Sequence, residues 1–239
     1  MNSYGYRQPT ALDNLGGTIP LSAQTAAVVK QTYLLFGLAV FSAMAGGYVG
    51  ATSETLARFF SGWIGWIAAL LLLNVVPRIA IAVRNNHQLG VAALVFDGFI
   101  SGIALSPLLW IARLYNPILI FVALFITGFV FIGITLFVMG SKRAFSAPRG
   151  LLTGIFFSVI GAVILNGFLH IGFAGILIAV GIGALGVFTL VYSTSAILRS
   201  PYVDSPIPGA LMLFASVFNI FVAALNILLR VLGGGGRRS

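Results

Sequence analysis

Acidic residues are scarce in this chain of 239 residues: four Asp and Glu stand against thirteen Lys and Arg, and charged residues make up only 7% of the whole. A soluble domain carries about 25% charged residues, so this chain cannot cover its surface for water. Cysteine is absent, which removes disulfides, thiolate metal sites and cysteine nucleophiles, and with them any reading of redox compartment. A zincin HExxH, a P-loop, a GxGxxG between strand and helix, and paired intramembrane aspartates are all missing from the sequence. An intramembrane serine protease needs a serine beside a base, and the surroundings of His87 and His170 name no such serine. No catalysis, cofactor or metal is therefore expected. Nucleic acid is not expected as a partner, because the net charge of +9 is scattered among loops and not gathered on one arm.

What the chain has in abundance is apolar residues, at 59% with a mean hydropathy of +1.09. From Thr32 to Leu232 it is a near-continuous series of apolar stretches, each about 20 residues long, the length that crosses a bilayer. Charged and turn-forming edges place spans near 32–50, 61–83, 90–112, 117–140, 150–170, 173–198 and 209–232. The expected architecture is an all-α membrane protein, a compact seven-transmembrane-helix bundle over residues 31–232. A polar, flexible cytoplasmic tail (1–30) precedes it and a flexible tail (233–239) follows. The first thirty residues lack the apolar core and small-residue site of a removable signal peptide. Short connections favour antiparallel neighbours, and Gly, Ala and Ser along the spans allow close backbone approach.

Basic residues set the orientation. The N-terminal side collects eight (Arg7, Lys30, Arg78, Arg84, Lys142, Arg143, Arg149 and Arg199) and the opposite side five, three of them at the C-terminal end. Positive loops stay inside, so the bundle is expected N-in and C-out.

Polar residues within the spans must find partners in the bundle or line water. Asn74 and Arg78 fall late in the second span beside Pro77, with Arg84 at its boundary. Asp97, the one acid inside a span, shares a helical face with Ser101 four residues on, and Asn166 shares one with His170. Ser193, Thr194 and Ser195 form a run in the sixth span; Ser216 and Asn219 share a face in the seventh, with Asn226 beyond. For a membrane Ser or Asn the ordinary role is an interhelical hydrogen bond worth about 0.6 kcal/mol. His170 at a boundary reads as an interfacial residue that can titrate near neutral pH. Asp97 differs, since an acid at mid-bilayer costs about 2.5–3.5 kcal/mol to insert. It is either a proton- or ion-handling group or a structural residue, neutral or paired, with Arg78 and Arg84 the candidate partners for a pair.

Several stretches carry a family resemblance: FDGFISGIALSPLL (96–109), SKRAFS (141–146), ILNGFLHI (164–171) and LMLFASVFNIFVAALNILLRVLG (211–233), with TYLLFG at 32–37. Together they resemble the Bax inhibitor-1 family, most closely its bacterial YccA-like branch, over nearly all of residues 28–233. The most specific element is Gly102, Ser106 and Pro107 in the third span. The resemblance implies a seven-helix fold with a cytoplasmic N-terminus in the bacterial inner membrane. For some members it implies a pH-sensitive calcium leak gated by a hydrogen-bonded carboxylate pair in spans six and seven. The matching positions here are Ser193 and Ser216, and Ala144 stands where a loop acid is common. Two hydroxyls neither share an ionisable proton at physiological pH nor attract a divalent cation as carboxylates do. Asp97 stands where relatives tend to be uncharged.

For YccA-like proteins the resemblance implies association with the membrane-anchored AAA protease FtsH, as a slow substrate that modulates it, with residues 1–28 a suitable initiation segment. This reading is preferred, because the missing carboxylate pair weakens the alternative, a calcium or proton leak of the Bax inhibitor-1 type. A third possibility is an accessory subunit of a larger membrane complex. Lipid is the partner common to all three.

Overall fold

The computed structural model describes residues 23–141, 144, 145, 158, 161, 174–199 and 205–233. The expected span at 150–170, with Asn166 and His170, lies outside the described residues, as do Lys142, Arg143 and Arg149. In lipid every backbone polar group must be satisfied within its own segment, and the described chain accordingly folds as helices alone. They are α1 (Ala23–Thr52), α2 (Glu54–Ser61), α3 (Trp63–Ala82), α4 (His87–Ala104), α5 (Ser106–Tyr115), α6 (Ile118–Gly140), α7 (Ala174–Arg199) and α8 (Pro206–Gly233). Six are long and apolar enough to cross a bilayer: α1, α3, α4, α6, α7 and α8. This is a multi-pass integral membrane protein.

Its surface is that of a lipid-solvated bundle. Phe121, Phe125 and Phe129 of α6 point outward at 69–75% exposure, while the interior is built from Ala, Gly, Ser, Thr and a few Leu and Ile. One end of the bundle gathers the starts of α1, α4 and α8 and the ends of α3, α6 and α7. Gly90 meets Ile207 there, Gly209 meets Thr32 and Ile197, and Arg199 donates to the Val138 carbonyl at 2.8 Å and to that of Ser141. The opposite end holds α2 and α5, the Arg113 bond to the Ala51 carbonyl (3.2 Å) and the Tyr115 bond to the Leu232 carbonyl. All three tryptophans, Trp63, Trp66 and Trp110, sit toward this far end. An apolar cluster fills each half, one around Leu94, Leu190, Ile207 and Leu213, the other around Ala51, Leu109, Ala112 and Leu225.

Three departures from the sequence-based expectation have local causes. The helix of the first span begins at Ala23, well ahead of position 32. The stretch 54–61, which the apolar pattern leaves between spans, is the short helix α2, capped by the Ser53 hydroxyl accepting from the Leu56 N–H at 3.3 Å. The expected single span 90–112 is two helices. Pro107 has no N–H to give the Ile103 carbonyl, the Ser106 hydroxyl donates to that carbonyl instead, and α5 restarts with the proline in its first turn.

Candidate functional site

The seam between α1 and α4 is the closest approach in the described bundle that matters for a site. Gly98 lies against the Ala39 carbonyl, Gly102 against the Ala43 carbonyl and Gly47 nitrogen, and Gly46 against the Phe99 carbonyl. A Cβ at any of these would collide with backbone, so the small residues set the helix spacing. Ser42 adds a cross-seam bond to the Val95 carbonyl at 2.7 Å. All three motif residues thus have structural work: Gly102 sets contact, and Ser106, packed against Gly50, ends α4 together with Pro107.

Asp97 is 4% exposed and Ser101 is 2% exposed, on the same side of α4 as expected from their spacing. Neither Arg78 nor Arg84 pairs with Asp97. Among the described residues the one ion pair is Arg58 with Glu54, and no hydrogen bond reaches the Asp97 carboxylate. The expectation that Asn74 and Arg78 turn into the bundle is corrected here. Both are exposed on α3, Asn74 satisfied by the Leu70 carbonyl of its own helix at 2.7 Å. Arg78 is one turn from the helix end, within reach of the headgroup layer for so long a side chain. Arg84 follows α3 and is exposed as well.

The hydroxyls of α7 and α8 behave differently. Ser193 is fully buried and donates to the Leu190 carbonyl at 3.2 Å; Ser216, also buried, donates to the Met212 carbonyl at 2.7 Å. Each bonds back to its own helix and not to the other. Ser195 accepts from the Phe145 N–H at 2.9 Å, tying the segment after α6 to α7. Asn219 is half-buried with no side-chain bond among the described residues, and Asn226 bonds to the Val222 carbonyl at 3.1 Å.

Residues that the sequence did not single out complete the polar interior. The Tyr33 hydroxyl on α1 lies beside Thr194 on α7 without closing a hydrogen bond. The buried hydroxyls of Tyr33, Thr194 and Thr135 are unpaired among the described residues. Thr135 stands one turn beyond Phe131 on α6, whose ring centroid is 6.4 Å from that of Tyr33. A buried hydroxyl without a protein partner is a place where an ordered water can bind. No group of three or more His, Cys, Asp or Glu comes together among the described residues. The arrangement offers one carboxylate and several neutral hydroxyls. That donor set can pass or hold a proton and is poor for a divalent ion, which takes six to eight oxygens, usually with several carboxylates.

The family model described as "Inhibitor of apoptosis-promoting Bax1" matches residues 25–233 of this chain. An uncharacterized protein of Campylobacter jejuni is 32% identical over 215 residues, covering 87% of this chain and 90% of the relative. An uncharacterized membrane protein of Vibrio cholerae is 28% identical, covering 86% and 90%. A protein of Neisseria meningitidis, also uncharacterized, is 28% identical with 86% and 92% covered.

Proposed function

The chain belongs to the Bax inhibitor-1 family, and we propose that it is a non-catalytic proton-conducting protein of the bacterial inner membrane, with Asp97 as its working group. One observation carries this reading: the single buried acid of the membrane-spanning helices makes no ion pair and no hydrogen bond among the described residues. An intramembrane acid is costly and ordinarily serves a pathway or a pair. With Arg78 and Arg84 unpaired to it, the pathway is favoured over the lock. Ser101, on the same buried side of α4, supplies a neutral hydroxyl that can take part in proton transfer at Asp97. Calcium passage, the other form of the leak, is less favoured by the donor set. The bias of basic residues supports an N-in orientation.

The test is proton flux into liposomes holding the purified full chain, driven by a pH step. Wild type should conduct above empty vesicles, and Asp97→Asn should abolish most of that flux while Ser193→Ala leaves it intact. Flux unchanged by Asp97→Asn removes the reading.

A second reading, modulation of an FtsH-like protease, is supported by the YccA-like resemblance and by the polar, Gly- and Pro-containing sequence ahead of α1. It predicts co-purification with that protease from detergent extract and loss of the contact when residues 1–22 are deleted. Retention after deletion contradicts it.

A further inference from the structure

At the far end of the bundle α2 and α5 face one another across a groove of about 270 Å³. Both helices join membrane-crossing segments, α2 between α1 and α3, α5 between α4 and α6, so the groove stands at the level of one leaflet's headgroups. The aromatic belt supports that level: Trp63 is 74% exposed at the start of α3, Trp66 is exposed one turn on, and Tyr115 closes α5. Arg113 lies over the Trp110 ring, 5.9 Å from its centroid, and holds the Ala51 carbonyl, which fixes the α5 wall.

The lining is divided by chemistry. Ala57, Pro107, Trp110 and Ile111 supply apolar surface, while Glu54 and Arg58 place opposite charges side by side. Both charged side chains are more than half exposed, so each keeps hydrogen-bonding capacity for a visitor. A groove with one carboxylate, one guanidinium and an apolar floor has no net charge. It complements a ligand that carries one phosphate and one primary ammonium a few bonds apart, joined to an apolar body.

We infer that this groove is a binding site for a zwitterionic aminophospholipid of the phosphatidylethanolamine type. The lipid phosphate accepts from the Arg58 guanidinium, the ethanolamine N–H groups donate to the Glu54 carboxylate, and the glycerol and upper acyl carbons cover Ile111 and Trp110. Lipid is the source, and not a soluble phosphate, because the site opens into the headgroup layer and half of its lining is apolar. Phosphatidylglycerol matches Arg58 but offers Glu54 only neutral hydroxyl donors in place of an ammonium, a weaker pairing. The site is independent of Asp97 and of proton passage.

The experiment is native mass spectrometry of the full chain released from detergent after incubation with phosphatidylethanolamine or phosphatidylglycerol. Wild type should retain one phosphatidylethanolamine with about a tenfold preference, the equivalent of about 1.4 kcal/mol. Glu54→Gln and Arg58→Gln should each erase that preference. The double exchange Glu54→Arg with Arg58→Glu should restore it, because the headgroup can lie in the reverse sense. Size-exclusion profiles and thermal unfolding of each variant should match wild type, since both residues are exposed. Equal retention of the two lipids, preference for phosphatidylglycerol, no retained lipid, or failure of the double exchange to restore binding would each overturn the assignment.

Discussion

The α1–α4 seam and the α7–α8 seam are built alike, and α4 differs from α7 and α8 in the polar groups it buries. Both bring backbones together through glycine, Gly98 and Gly102 against α1, Gly186 against the Ser216 carbonyl and Ile220 of α8. The α7–α8 seam buries hydroxyls, and Ser193 and Ser216 satisfy themselves on carbonyls of their own helices. Helix α4 also buries a carboxylate, on the side it shares with Ser101 and Gly90 and away from the Gly98 and Gly102 face that meets α1. An ionised carboxylate only accepts, and the carbonyls along a helix only accept, so Asp97 has no equivalent remedy on α4. Ser193 and Ser216 satisfy themselves on their own helices, whereas an ionised carboxylate needs a donor from elsewhere. For that reason Asp97, and not the serines at the positions of the family's carboxylates, is where function is sought.

If the seams share one packing principle, overfilling either should do the most damage. Gly102→Leu and Gly186→Leu should each cost about 3 kcal/mol, seen as loss of the monodisperse peak in size exclusion or a sharply lowered Tm in detergent. A mild effect at one position would show that the two seams do not pack alike.

Arg199 links α7 to the end of α6 through the Val138 and Ser141 carbonyls, a charged tie where the α1–α4 seam has the neutral Ser42 bond to Val95. Arg199→Gln should cost about 1.5 kcal/mol by thermal unfolding, the lower range for hydrogen bonds to a charged group. An unchanged Tm would make the link ornamental.

Asp97→Asn turns α4 chemically into a copy of α7, because the amide can donate to the Ala93 carbonyl one turn back as Asn74 does to that of Leu70. Stability should therefore hold or rise by about 1 kcal/mol even as proton flux disappears. A Tm that falls with Asp97→Asn would mean that the carboxylate has a stabilising partner. At the small end, Ser193→Ala and Ser216→Ala should each cost no more than about 0.6 kcal/mol.

Much of this organisation was legible in the chain itself. Long apolar runs announced α1, α3, α6, α7 and α8, since twenty residues without charge have no other stable place than lipid. The helical period put Asp97 and Ser101 on one buried face. The break at Leu105 was missed because the apolar run of residues 90–112 continues on both sides of it, although Pro107 marked the place. Helix α2 was missed because eight residues are too few for a span and its signal is a cap at Ser53 with one apolar side. The orientation of Arg78 was not legible either. Which face of α3 meets α4 is set by shape along the whole helix, and Asn74 and Arg78 fall on the outer one.

The central claim is that Asp97 exchanges its proton with water inside the bundle. Infrared difference spectra of the reconstituted chain across a pH step test it directly. A carboxyl band should change with pH, shift in heavy water and vanish in Asp97→Asn. A protein whose spectra show no such band, or show one that survives Asp97→Asn, would contradict it.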